Sequence, residues 1–212
     1  MAEKSEHARL EAFCDGVFAI AITLLILEIK VPPIGSSHTI GEFWHRLLED
    51  WPSWFGFCLS FVIILVSWVN HHTVFKIITK SSPQFTYANG FMLFTIVVIP
   101  FSTGLMSEYL RTDLAQPATT VYCFSILIHN ISWILFGRAA MYPHSLFKDR
   151  ESHDMYVKAV YRASEVAFLF YLSLCIVSFW FPFVSMVLMT VSWLYWVFTS
   201  VLVKPKQGES PP

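Results

Sequence analysis

Three features of this sequence together predict an all-α polytopic membrane protein with six transmembrane helices and both termini in the cytoplasm. The composition is 55% hydrophobic against 14% charged, with 17% aromatic residues, a balance typical of membrane proteins. Uncharged runs recur along the chain, each close to the ~20 residues that a helix needs to cross a bilayer. The basic residues are spread unevenly over the connecting segments, which sets an orientation. Net charge is −1 over 212 residues, so no nucleic-acid partner is expected. The polar remainder is too small for a separate soluble domain, and residues 1–212 are read as one unit.

The first span is placed at 8–30, around Arg9-Leu10-Glu11-Ala12-Phe13-Cys14-Asp15 and the apolar run that follows. The start has no basic n-region and no small-residue cleavage site, so this helix is expected to be retained rather than removed as a signal peptide. From Gly16 to Leu27 it carries no charge, and Thr23 is its one polar side chain. On a 3.6-residue period Phe13, Gly16, Ile20, Leu24 and Leu27 share a stripe, with Thr23 at its edge. By periodicity that stripe suits lipid contact or ordinary packing as well as any special role. Asp15 is unusual at this depth, where a carboxylate costs roughly 3 kcal/mol or more and normally has a partner. It reads first as a structural hydrogen-bond acceptor, with a proton or ion ligand as the alternative.

Pro32, Pro33 and Gly35 end the first helix. A polar loop follows, with a short interfacial helix expected around Phe43 to Leu48. The remaining spans are placed at 53–76, 84–107, 115–138, 157–180 and 183–203. The last two come from a 38-residue stretch without charge, Val166 to Val203, which is too long for one pass and is divided at Pro182. The tail 204–212 is expected to be disordered. With six spans, eleven of the fourteen basic residues fall on one side: Lys4, Arg9, Lys76, Lys80, Arg138, Lys148, Arg150, Lys158, Arg162, Lys204 and Lys206. The other side keeps Lys30, Arg46 and Arg111, so the positive-inside rule places both termini in the cytoplasm. Trp51, Trp54, Trp180, Tyr109 and Tyr142 lie near the expected interfaces, as aromatic belts do. The four cysteines each sit in apolar segments without metal spacing and read as reduced, buried thiols.

The run Phe13-Cys14-Asp15-Gly16-Val17-Phe18-Ala19-Ile20-Ala21-Ile22-Thr23-Leu24-Leu25 resembles the first-helix signature of the transmembrane protein 175 family of potassium channels, F-S-D-x-x-x-A. It departs at Cys14, where the family usually has Ser; Cys keeps the size and loses most of the hydrogen-bonding strength. Trp68 followed by His71, and Pro100-Phe101, resemble the family as well. The resemblance implies a potassium-permeable cation channel, not an enzyme, with no cofactor beyond the permeant K+ ions. It also implies a homotetramer with the pore lined by the first helix. Because the signature occurs once, several chains are needed to build such a pore. Ile20 is then the expected narrowest ring, with Leu24 and Leu27 above it and Thr23 placed to touch a partly dehydrated ion. The family lacks the usual carbonyl filter, and this chain has no TVGYG run. A single signature copy is similar to prokaryotic members, which implies the plasma membrane.

A structural network is expected where the first two spans meet. Asp15 and the segment Trp68-Val69-Asn70-His71-His72 lie at similar depth, so Asp15 should bond Trp68, Asn70 or His71, with Arg9 adding charge from below. Phe13 and Cys14 belong to the same stretch. No metal is expected, because one His-His pair and scattered histidines lack ligand spacing. Pro100 reads as a kink, His129 and Asn130 as interhelical hydrogen-bond partners, and Arg162 with Glu165 as an i,i+3 ion pair. Two other readings remain: a secondary transporter with Asp15 as coupling acid, although no internal repeat is visible, and a histidine-metal membrane enzyme.

Overall fold

The computed structural model describes residues 2–142 and 146–202, and all its long elements are helices. The expected tail 204–212, with Lys204 and Lys206, lies outside the described residues. Helix α1 runs Ala2–Leu24 and tightens into a 3₁₀ turn at Leu25–Glu28. Then come α2 (Ile40–Glu49), α3 (Trp51–Ile77), α4 (Pro83–Tyr109) and α5 (Ala115–Met141). A short α6 (Arg150–Tyr156) passes through a π-helical turn at Val157–Tyr161 into α7 (Arg162–Ser178), and α8 spans Pro182–Leu202.

Local chemistry sets several of these boundaries. Thr39 caps α2 by accepting from Glu42 N at 3.2 Å, and the Glu42 carboxylate accepts from His38 N at 2.7 Å in return. Ser82 caps α4 by accepting from Phe85 N, with Pro83 in the first turn, where its missing N–H costs nothing. Asp149 caps α6 through Ser152 N at 2.7 Å. Helix α2 buries none of its residues and leaves Ile40, Phe43, Trp44 and Leu48 exposed, which suits a helix lying in the plane of a bilayer interface.

Among the described residues, five helical segments are long and apolar enough to cross a membrane: His7–Glu28, Trp51–Ile77, Pro83–Tyr109, Ala115–Met141 and Pro182–Thr199. The fifth of the six expected spans, 157–180, is not among them. There the π turn takes up Val157–Tyr161, and 17 residues of α-helix follow. A π turn satisfies its backbone i→i+5, so the chain stays helical from Arg150 to Ser178 even though the regular α segment is short.

Helices α3, α4 and α5 form the centre. α1 packs on α3 and α4, α7 on α5, and α8 against α7, α3 and α5. Ile63 and Ile64 of α3, Met92, Ile96 and Ile99 of α4, and Tyr122, Ile126 and Phe136 of α5 are fully enclosed. Polar knots tie these helices together. His129 Nδ1 lies 2.9 Å from Thr95 Oγ1, and its Nε2 lies 2.9 Å from Ser67 Oγ and 3.3 Å from Trp133 Nε1. Because an indole N–H can only donate, Nε2 is the acceptor, and the Nδ1 proton goes to Thr95, which passes its own proton to Met92 O at 2.7 Å. His129 is therefore the interhelical partner expected of it, joining α3, α4 and α5. Asn130 is not seen in that role: its Oδ1 is buried without a hydrogen-bond partner among the described residues. A second knot joins Ser60, Thr103 and Tyr122 at 2.6 and 3.0 Å. Each such bond contributes on the order of 1 kcal/mol inside a bilayer.

Helix α4 continues unbroken through Pro100. The Ser102 and Thr103 hydroxyls donate to Ile99 O at 3.0 and 2.8 Å, not to the Ile96 carbonyl, whose usual donor Pro100 lacks. Among the described residues Arg162 and Glu165 form no ion pair; both side chains point outward from α7 and stay exposed.

Candidate functional site

Helix α1 has two sharply different faces. Cys14, Phe18, Ala21 and Leu25 are at most 1% exposed and pack against the protomer. On the other side Phe13 is 63% exposed, Ile20 59%, Leu24 39% and Leu27 70%. Gly16 and Thr23 are exposed on the same side, and a side chain built at Gly16 would meet nothing within 4 Å. The predicted stripe thus forms one continuous face that the protomer does not cover. The Thr23 hydroxyl donates to Ile20 O at 2.9 Å, so its proton stays on the helix backbone while its oxygen lone pairs remain open to the outside.

The N-terminal half of α1 is fastened to the C-terminal half of α3. Trp68 Nε1 donates to Asp15 Oδ1 at 2.9 Å, and Asp15 is half-buried. The Trp68 indole stacks on His72, with centroids 5.8 Å apart and planes 14° apart. Glu11 Oε1 lies 3.1 Å from His72 Nδ1 without the alignment of a hydrogen bond, and His7 Nε2 lies 3.1 Å from Phe75 O. One layer inward, His71 Nε2 is 2.8 Å from Asn89 Oδ1, which makes Nε2 the donor. Asn89 Nδ2 donates in turn to Cys14 Sγ at 3.1 Å, and the His71 ring stacks on Phe75 at 4.5 Å.

Of the residues the sequence grouped together, Asp15 meets Trp68, while Cys14 and His71 meet through Asn89 and not through Asp15. Asn70 lies instead in the wall of a cavity of about 40 Å³ shared with Ser67, His129, Asn130 and Trp193. Arg9 and Phe13 are exposed, and Arg9 has no ion-pair partner among the described residues. The sequence reading missed Asn89, although a lone amide in an uncharged span is itself a signal, since it must find a partner. It also missed the pair of Glu11 and His72, and the seat of Glu28 over Gly104. A side chain at Gly104 would meet the Glu28 carboxylate and push it aside, so glycine is what lets the carboxylate lie this close to the α4 backbone. Just outside, Lys30 and Glu108 form an exposed ion pair. Among the described residues, no three His, Cys, Asp or Glu side chains converge as metal ligands would.

The family model described as endosomal/lysosomal potassium channel TMEM175 matches residues 9–100, which include the α1 face and its fastening to α3. A potassium channel of Chamaesiphon minutus is 40% identical over 180 residues, 84% of this chain and 88% of that protein. The chain belongs to the TMEM175 family. The crystal structure of a lysosomal potassium-selective channel TMEM175 homolog from Chamaesiphon minutus is similar to it with a TM-score of 0.82 and 37% identity, covering 92% of this chain and 98% of that one. Among vertebrate TMEM175 proteins, the endosomal/lysosomal proton channel of Gallus gallus is 28% identical over 171 residues, 74% of this chain and 34% of that relative.

Proposed function

We propose that this TMEM175 chain is a potassium-permeable cation channel whose pore is lined by α1 from several copies, with the exposed apolar face turned to the central axis. The uncovered stripe of Phe13, Gly16, Ile20, Leu24 and Leu27 carries this reading: one side of α1 is packed to completion and the other is left without a protein partner. A homotetramer places four such faces around one axis. Ile20 forms the narrowest ring, with Leu24 and Leu27 beyond it and the Thr23 oxygen beside it. A narrow apolar neck holds no continuous water column until it widens, so gating by dewetting follows. Asp15, Trp68, Asn89, Cys14 and His71 fix the azimuth of α1, and so the direction in which Ile20 points. The subunit crosses the membrane six times, with α7 as the fifth span, both termini in the cytoplasm and the cell membrane as its place. The helix continuing into α7 through the π turn and the asymmetry of basic residues support that topology.

The decisive experiment reconstitutes the full chain in liposomes and measures reversal potentials in mixed potassium and sodium. The expected result is a reversal near the potassium equilibrium potential without a coupled gradient, with Ile20→Asn raising leak and weakening discrimination. Flux unchanged by that substitution removes Ile20 from the filter. Relatives named proton channels favour a second reading, in which protons pass the same neck; a pH-sensitive dye trapped in the same liposomes reads that directly.

A further inference from the structure

Between α7 and α8, which pack on each other and on α5, lies a furrow of about 710 Å³, within the size range of sites that hold a drug-sized ligand. Its two ends differ. Lys158 and Arg162 stand at one end, and Val166, Phe170, Leu188 and Val191 line the body, with Ala163 and Ala167 as a floor of small side chains. Tyr171 and Trp196 form its back wall and separate it from the small polar cavity between α3, α5, α7 and α8. Neither Lys158 nor Arg162 forms an ion pair among the described residues, and both are exposed.

We infer that this furrow holds one anionic glycerophospholipid, with its phosphate on Lys158 and Arg162 and an acyl chain along α7 and α8. A bare apolar furrow would accept any hydrocarbon; two unpaired cations at one end select for negative charge. A guanidinium fork matches a phosphate bidentately, and an ammonium adds a point charge beside it. The basic end lies on the side to which the charge asymmetry assigns the cytoplasm, and bilayers carry their anionic lipids at that face. The π turn at Val157–Tyr161 separates Lys158 from Arg162 on the helix, yet both side chains reach the same furrow. Tyr195, 63% exposed beside the basic end, is an aromatic with a polar tip, suited to the headgroup level.

Native mass spectrometry of the full chain in detergent tests this, with phosphatidylglycerol and phosphatidylcholine of identical acyl chains as probes. The wild type should retain phosphatidylglycerol about thirtyfold better, the scale set by two basic side chains near an anionic headgroup. K158Q/R162Q should bring the two lipids to parity, while K158R/R162K should keep the preference. Val166→Trp fills the body of the furrow without touching its charge and should reduce retention of both lipids. Unaltered thermal unfolding of each variant shows that the fold is kept. Equal retention of the two lipids by the wild type overturns the proposal, as does a preference that survives K158Q/R162Q. So does efficient oxidative cross-linking of Val166→Cys between subunits, which would give the furrow to a second copy of the chain.

Discussion

Helices α1 and α8 bury the same small share of their apolar windows, 22% each, against 50% for α3 and 56% for α4 and α5. What they leave outside differs. α8 presents a broad band of bulky side chains, Phe183, Val184, Val187, Val191, Leu194, Tyr195 and Phe198. Such a surface suits fluid hydrocarbon, which moulds itself to any shape. α1 presents a mixed surface in which Gly16, Ala19 and Thr23 alternate with Phe13, Ile20, Leu24 and Leu27. Small residues there let another backbone come close. Equal exposure therefore does not mean equal use: α1 is the more apolar of the two, with mean hydropathy 2.1 against 1.5, and side-chain size and its regularity are what separate a face for lipid from the face proposed for a symmetry axis.

The largest effect expected from this contrast is on conduction. Ile20→Asn should raise potassium leak in liposomes by about tenfold or more, because a polar ring keeps a narrow neck wet. Val187→Asn on α8, equally apolar and exposed, should leave flux alone. Comparable leak from both substitutions would break the distinction.

Next comes assembly. The Cβ of Gly16→Leu would meet no atom within 4 Å among the described residues; the substitution should leave thermal unfolding intact while reducing the oligomer seen by light scattering. Gly56→Ala should do the reverse. Its new methyl would press on Ser107 Oγ, Thr103 Cγ2 and Met106 Cε between α3 and α4, lowering stability by about 1–3 kcal/mol with the oligomer retained wherever the protein stays folded.

Smaller again is the fastening of α1. Trp68→Phe removes the donor to Asp15 and leaves a half-buried carboxylate unmatched, which should cost about 1–3 kcal/mol in thermal or denaturant unfolding. Cys14→Ser replaces a weak sulfur acceptor for Asn89 Nδ2 with an oxygen and should stabilise by less than about 1 kcal/mol. A loss of stability there would mean that the site is shaped for sulfur.

The sequence makes the apolar spans legible because hydrocarbon tolerates few charges, and those charges mark the ends of α3, α4 and α5. The contact of Asp15 with Trp68 was also within reach, since a membrane carboxylate needs a donor and the topology brings few to its depth. Other features have no sequence signal of comparable strength. Nothing in Val157-Lys158-Ala159-Val160-Tyr161 breaks a helix, and the π turn goes with packing at its two ends: a methyl on Gly137 of α5 would sit 2.7 Å from both the Tyr156 hydroxyl and the Tyr161 ring. Spacing suggested that Arg162 and Glu165 pair, but exposed i,i+3 pairs contribute only a few tenths of a kcal/mol, too little to fix two long side chains. Asn70 and His71 adjoin in sequence, yet a helix turns about 100° per residue. One faces the cavity toward Asn130 and the other faces Asn89.

The 3₁₀ turn at Leu25–Glu28 has a mechanical consequence. A 3₁₀ turn advances about 2.0 Å and 120° per residue, against about 1.5 Å and 100° in an α-helix. Rewinding those four residues would shorten the outer end of α1 by about 2 Å and swing Leu27 some 60° relative to Leu24. Glu28 ends that turn with its carboxylate against Gly104 of α4, so rewinding would also lift this side chain from α4 and couple the proposed neck to the end of that helix.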